Sequence, residues 1–431
     1  MLFLWLCLSA FANSDATLRN YIREFEVAPL SKPAPRREAL YRLGARLFSD
    51  RQLSGKGNIS CLDCHTPRWG TGDALPLGVG EGASGHGMRR RQNGAPLLQR
   101  NSPPLYNLGL ASASHLFWDG RLSKDEHGFW VTPEPGLNGA SPRLESIART
   151  VDSLLAMQAL FPIASPEEML GRDSLLSREA AWANVLERLF SGPVAETYRA
   201  LFREAFGETE LNIGHVANAL GEFQRHAFWS ADTPWDRYLK GDASALTDEM
   251  KAGALVFFGK GQCASCHNGE QLSAFDFDGV GTPHLGPVGP DDLGRMDVTG
   301  LEEDRYKFRV SPLRNIAVTG PYMHNGVFKT LWQVIEFYDA PERSLMEFVW
   351  RDVVAGYDSD TALTVDRDPL RQLARLASMA EDLPRDIGFT AREEEELWCF
   401  LTVGLTDMSL QVLIKGVEHE NPRCPALVTD R

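Results

Sequence analysis

The 431 residues carry 44 Lys and Arg against 58 Asp and Glu, a formal charge of −14. Hydrophobic residues make up 43%, ordinary for a globular chain and enough for two sizeable cores, which sets bulk disorder aside. A net acidic field repels phosphates and argues against nucleic acid as a partner. No internal apolar run approaches the roughly 20 residues needed to span a bilayer.

The first element in chain order is residues 1–12, MLFLWLCLSAFA, an apolar segment ending in Ala10-Phe11-Ala12 and followed by polar Asn13-Ser14-Asp15. This reads as a signal peptide cut after Ala12, which predicts export to the periplasm and no membrane span in the mature chain. A buried N-terminal helix is the alternative, because no Lys or Arg precedes the apolar run. Arg37 to Phe48 places apolar residues at helical spacing and leads into Cys61-Leu-Asp-Cys64-His65. The pattern then recurs. Thr247 is a helix N-cap with acids in the first turn, and the helix runs to Phe258 before Cys263-Ala-Ser-Cys266-His267. The stretches 178–206, 213–228, 328–338, 369–381 and 391–405 also read as helices, and strand-like alternation is scarce. The expected fold is mostly α with long Gly- and Pro-rich loops. A break near 238–248 predicts an N-terminal unit at 13–242 and a C-terminal unit at 243–431.

Of seven cysteines, Cys7 leaves with the signal and four lie in the two Cys-x-x-Cys-His copies. That pentapeptide is the attachment site of c-type haem. Its thiols, here Cys61, Cys64, Cys263 and Cys266, bond to the porphyrin vinyls, and the adjacent His65 and His267 become proximal iron ligands. One copy alone is equally a zinc or thioredoxin-like pair; two copies in an exported chain predict two covalently bound haem c. The remaining Cys399 and Cys424 either pair in an oxidising compartment or stay as buried thiols. Three other features point to less. Gly78 to Gly85 mimics a phosphate loop but lacks the flanking strand and helix. Arg89-Arg-Arg91 is a short basic patch suited to haem propionates or solvent, and Glu393 to Glu396 form the solvated first turn of the last helix.

Beyond the haem motifs lie further blocks in order. Ser84-Gly-His86-Gly, Arg100-Asn-Ser-Pro-Pro-Leu-Tyr-Asn107, Phe117-Trp-Asp-Gly-Arg121 and Gln158 to Met169 follow the first motif. Asp297-Val-Thr-Gly300, Phe308 to Asn315 and Thr319-Gly-Pro-Tyr-Met-His-Asn-Gly326 follow the second. Over nearly the whole mature chain the sequence resembles the bacterial di-haem cytochrome c peroxidases and their MauG-like relatives.

The resemblance implies roles for particular residues. In that family the second haem takes a ligand fourteen residues after the His of the Pro-Tyr-x-His block, Met in the peroxidases and Tyr in MauG. Counted from His324 this is Tyr338. A phenolate is a hard anionic donor that lowers the haem potential, whereas a thioether raises it. Met323 and Met346 are the competing ligands. The first haem is the reactive one, and His86 matches the displaceable sixth ligand of the peroxidases, or is a surface loop residue. Gln158, Pro162 and Glu168 match the constellation over the open haem face, with Glu168 as the acid/base for peroxide cleavage and Glu167 as the competing assignment. Trp118 matches the tryptophan that relays charge between haems. Asn101, Thr319 and Pro321 match the ligands of an interdomain Ca²⁺. The main departure from the family is an insertion at about 123–155.

Residue 338 favours the MauG-like branch, in which hydrogen peroxide generates a high-valent di-iron state that oxidises a partner protein at Trp side chains. The alternative is a peroxidase reducing hydrogen peroxide to water with electrons from a small cytochrome or copper protein. A non-enzymatic di-haem carrier is disfavoured by Gln158, Pro162 and Glu168.

Overall fold

The computed structural model describes residues 14–87, 90, 92–134, 137, 142–287, 291–348, 363–414 and Cys424. The apolar segment 1–12, Arg89 and Arg91 lie outside the described residues.

Helix α1 (Glu38–Phe48) buries Leu40, Leu43, Gly44, Leu47 and Phe48, the single stripe that its spacing predicts. Leading into the insertion, three short strands form an antiparallel sheet in the order β1 (His115–Leu116), β2 (Leu122–Lys124), β3 (Trp130–Val131). The Trp130 indole donates to the carbonyl of Ala148 at 2.9 Å, fastening the β2–β3 hairpin to α2 (Pro142–Thr150). Helix α3 (Leu154–Ala164) has no place among the sequence-predicted helices. Its sequence LLAMQALFPIA is apolar all round except at Gln158, so it shows no amphipathic period and is instead largely surrounded by the core.

The predicted helix 178–206 is two helices, α4 (Arg178–Ser191) and α5 (Ala195–Phe206), broken around Gly192-Pro193. Helix α6 (Ile213–Ala227) crosses α1 so closely that a Cβ on Gly44 would meet the Ala219 carbonyl oxygen at 1.9 Å. Only glycine allows that crossing.

The second haem motif repeats the device. Helix α7 (Asp248–Phe258) starts at its Thr247 cap, whose hydroxyl accepts from the Met250 N–H. Strand β4 (Phe277–Asp278) pairs antiparallel with β6 (Phe308–Arg309), and β5 (Leu285–Pro287) pairs with β7 (Leu363–Val365). Helix α8 (Leu331–Asp339) begins later than the predicted 328, because Thr330 and Gln333 form a capping box. Helix α9 (Pro369–Ala377) ends before 381. Helix α10 (Ala391–Cys399) widens into a π-helical turn at Phe400–Gly404. It crosses α7 at Gly253, where a Cβ would lie 1.9 Å from the Glu396 carbonyl oxygen. The fold is mostly α, as expected from sequence.

Two further links close the molecule. Arg100 reaches Asp119 at 2.5 Å and grips both oxygens of Asp292 at 2.7 Å, joining distant parts of the chain. Cys399 and Cys424 form a disulfide. Among the described residues no helix is long and apolar enough to cross a membrane.

Candidate active site

The second Cys-x-x-Cys-His turn opens on a cavity. Cys263, Cys266 and His267 form one part of its wall, and Leu331, Val334, Ile335 and Tyr338 of α8 form another. Helical spacing puts those four α8 residues on one face. Trp118, Asn101, Arg309, Thr319, Pro321, Met323 and His324 complete the walls that matter here.

His267 Nδ1 lies 3.0 Å from the Leu272 carbonyl. A carbonyl only accepts, so the ring proton sits on Nδ1 and the Nε2 lone pair is left for a metal. Burial pushes this imidazole down to about 4, keeping it neutral as a ligand must be. The first motif repeats the geometry: His65 Nδ1 lies 3.0 Å from the Thr71 carbonyl, and burial again lowers its pKa. All four motif cysteines are unbridged, and burial pushes their thiols up to about 12. Two unbridged thiols beside a neutral, pre-oriented imidazole and a largely apolar cavity are what covalent haem attachment requires. The residues fit haem c.

Tyr338 is enclosed in the cavity, and burial, reinforced by nearby Cys266 and Cys263, holds its phenol well above the usual range. Met323 shares the cavity. Met346 does not line it and is 57% exposed. His324 stacks on Phe308 with ring centroids 3.5 Å apart, and burial drives its imidazole to about 3.

Near the first motif, Gln158 and Pro162 are one helical turn apart on α3, and Gln158 is buried. Pro162 lacks an N–H, so the helix loses one internal bond there. The chain then turns into the wide π-helical turn Pro166–Leu170, where the Ser165 hydroxyl accepts from the Glu168 N–H at 3.3 Å. Burial raises the Glu168 carboxyl, while Arg121 and Ser165 pull it down. Its charge is felt at Cys64, adding to the rise of that thiol. Glu167 is exposed and Glu168 only partly so, so the two neighbours occupy different environments.

Trp118 donates its indole N–H to the Asn101 carbonyl at 2.8 Å. The Asn101 side-chain amide donates to Leu75 O at 2.6 Å, and its backbone N–H to His324 O at 2.7 Å. Asn101, Thr319 and Pro321, the candidate calcium residues, thus belong to one cavity wall. No group of three or more His, Cys, Asp or Glu side chains suited to a metal exists among the described residues. A cation at this wall would rely on amide and carbonyl oxygens, the donor set preferred by Ca²⁺. His86 lies at the surface with its side chain 61% exposed and Nδ1 3.6 Å from Asp63 Oδ1.

Sequence reasoning passed over two residues. Arg121 sits over the Phe117 ring at 3.9 Å and electrostatically opposes the rise of Glu168. Arg309 is buried in the cavity wall. Both lie inside quoted sequence blocks; Arg309 is buried and Arg121 half-buried, which their neighbours in sequence do not reveal.

A family model described as di-haem cytochrome c peroxidase matches residues 38–244. The chain is 33% identical over 337 residues to the methylamine utilization protein MauG of Methylorubrum extorquens, covering 77% of this chain and 78% of that protein. The chain belongs to the di-haem cytochrome c peroxidase and MauG family. It is also 30% identical over 310 residues to cytochrome c551 peroxidase of Nitrosomonas europaea, covering 72% of this chain and 75% of that protein. Among solved structures, a MauG-like protein associated with microbial copper homeostasis superposes with a TM-score of 0.59 at 27% identity, covering 90% of this chain and 94% of the other. The di-haem peroxidase BthA from Burkholderia thailandensis shares the fold, with a TM-score of 0.56 at 19% identity, covering 88% of this chain and 92% of that one. Family membership makes this chain a haem oxidoreductase carrying two haem c.

Proposed function

We propose that the chain is a MauG-like periplasmic oxidoreductase that uses hydrogen peroxide to oxidise a partner protein, at Trp side chains. The observation that carries this reading is Tyr338, enclosed with His267 in one cavity, at the position where the resemblance expects Met in a peroxidase. Cys61, Cys64 and His65 hold one haem in the unit 13–242, and Cys263, Cys266 and His267 hold the other in the unit 243–431. The haems supply redox-active iron that accepts oxidising equivalents from peroxide.

The chain's own residues do the rest. Glu168, kept protonated more readily than an exposed carboxyl, shuttles a proton between the two peroxide oxygens, with Gln158 and Pro162 shaping the pocket above it. The Tyr338 oxygen, once relieved of its proton, donates a hard negative charge that favours the oxidised second site. Trp118, clamped by Asn101, carries charge between the two sites. Ca²⁺ against Asn101, Thr319 and Pro321 stiffens that clamp.

A second reading, a cytochrome c peroxidase using a small electron-donor protein, draws on Met323, which shares the cavity with Tyr338. An absorption spectrum through the near-infrared separates the two. MauG-like chemistry predicts that one equivalent of hydrogen peroxide bleaches the diferric Soret band and raises a new near-infrared band. A peroxidase predicts no reaction until the second haem is reduced, and a sulfur-to-iron band beforehand; His86 would then be its displaceable ligand.

A further inference from the structure

Among the described residues, the buried guanidinium groups are matched with carboxylates, apart from two. Arg100 has Asp119 and Asp292, Arg375 has Asp291 and Asp366, and Arg314 has Asp236. Among the described residues, Arg90 and Arg309 find only main-chain carbonyls. Arg90 donates to Asp63 O at 3.0 Å and Val79 O at 2.9 Å beside the first motif, and its Nε has no partner. Arg309 donates from Nε to Phe117 O at 3.0 Å and from Nη1 to Val310 O at 3.3 Å. No carboxylate among the described residues pairs with it. A buried charge without a counter-charge is costly, and such a group persists where an anion completes it.

Arg309 also lines the cavity of the second motif. Burial pulls its guanidinium down to about 10, and the nearby Asp119 charge offsets only part of that. A haem c brings two carboxylates on its propionate arms, and a planar guanidinium fork matches a carboxylate in two parallel hydrogen bonds.

We propose that Arg309 receives a propionate of the second haem and locks that haem to the backbone of Trp118. The lock is visible from the protein side. The Arg309 backbone N–H donates to Trp118 O at 2.7 Å while its side chain holds Phe117 O. One residue therefore fixes both the main chain of the candidate relay and the edge of the haem. Arg309 is a positioning residue: it acts through the propionate and through Trp118.

The inference rests on the reading that the second haem fills this cavity. Peptide mapping for covalent haem at Cys263 and Cys266 tests that reading separately, and its absence there would remove both. On the two-haem protein, the test is the propionate-bending band in resonance Raman together with the midpoint potential of the second haem. In Arg309→Gln the band moves to lower frequency and the potential falls, because a positive charge beside ferrous iron is lost. Arg309→Lys keeps the charge without the fork, so the band moves while the potential stays near wild type. An unchanged band in both variants overturns the proposal. If the Gln variant matures with only one haem, the Lys variant alone decides, by the same band.

Discussion

The Trp118 indole donates to the main-chain oxygen of Asn101 at 2.8 Å, and Asn101 in turn donates its backbone N–H to His324 at 2.7 Å. The candidate relay thus hangs from the residue that the resemblance marks for calcium. Stripping Ca²⁺ with a chelator, or making Asn101→Ala, is expected to loosen the indole without releasing covalent haem. A hydrogen bond of about 1 kcal/mol corresponds to roughly fivefold. The peroxide-oxidised state should therefore decay about fivefold faster in stopped-flow absorption, with haem content unchanged. An identical decay in calcium-free and calcium-loaded protein counts against the clamp.

Glu168 and Glu167 make an internal control. Burial raises the folded-state pKa of Glu168, so the ionised carboxylate disfavours folding, and that penalty grows as pH rises through the folded value. Glu168→Gln removes the penalty. It is expected to leave the melting temperature at neutral pH equal or higher, while slowing reaction with peroxide by roughly 10²- to 10⁴-fold. Exposed Glu167→Gln should leave the melting temperature near wild type and the rate within about twofold, the scale of ordinary surface substitutions. Equal rate losses in the two variants would unseat Glu168 as the proton shuttle.

Much of this arrangement is legible in the amino-acid order. Cys-x-x-Cys-His fixes covalent attachment by local spacing, and the stripes of α1 and α7 follow from a period of 3.6. Helix α3, which carries Gln158 and Pro162, was not legible, because a helix apolar on nearly all sides leaves no periodic trace. The break at Gly192-Pro193 was written in plain view, but the flanking helical patterns merge across it. Arg309 sits in a readable block, yet nothing in its neighbours tells that its charge is buried without an acid. The distinction between Glu167 and Glu168 likewise depends on a π-helical turn that places adjacent side chains in different surroundings.

The Tyr338 assignment separates the two functional readings. With Tyr338→Phe the second haem loses its anionic ligand, and the long-lived two-electron-oxidised state should vanish from the near-infrared after peroxide. Tyr338→Met should raise the second haem's potential, because a thioether favours the reduced iron. That variant is expected to react with peroxide only after partial reduction. Persistence of the wild-type near-infrared band in Tyr338→Phe would mean that Tyr338 is not the ligand.

Acid stability should depend on the clamp around Arg100. Burial pushes the Asp292 carboxyl up, but the Arg100 guanidinium outweighs it and holds the group well below the usual carboxylate range. A depressed folded-state pKa contributes stability that is fully present above the unfolded value, about 3.9, and is lost as pH falls below it. Asp292→Asn removes that contribution and leaves Arg100 with Asp119 and the more distant Asp297. Breaking a buried pair costs about 3–5 kcal/mol. The variant should therefore melt well below wild type at pH 7, and the two curves should converge as pH drops through the unfolded aspartate range. Parallel curves across that range would mean that Asp292 stays charged through another partner and that Arg100 is not its principal one.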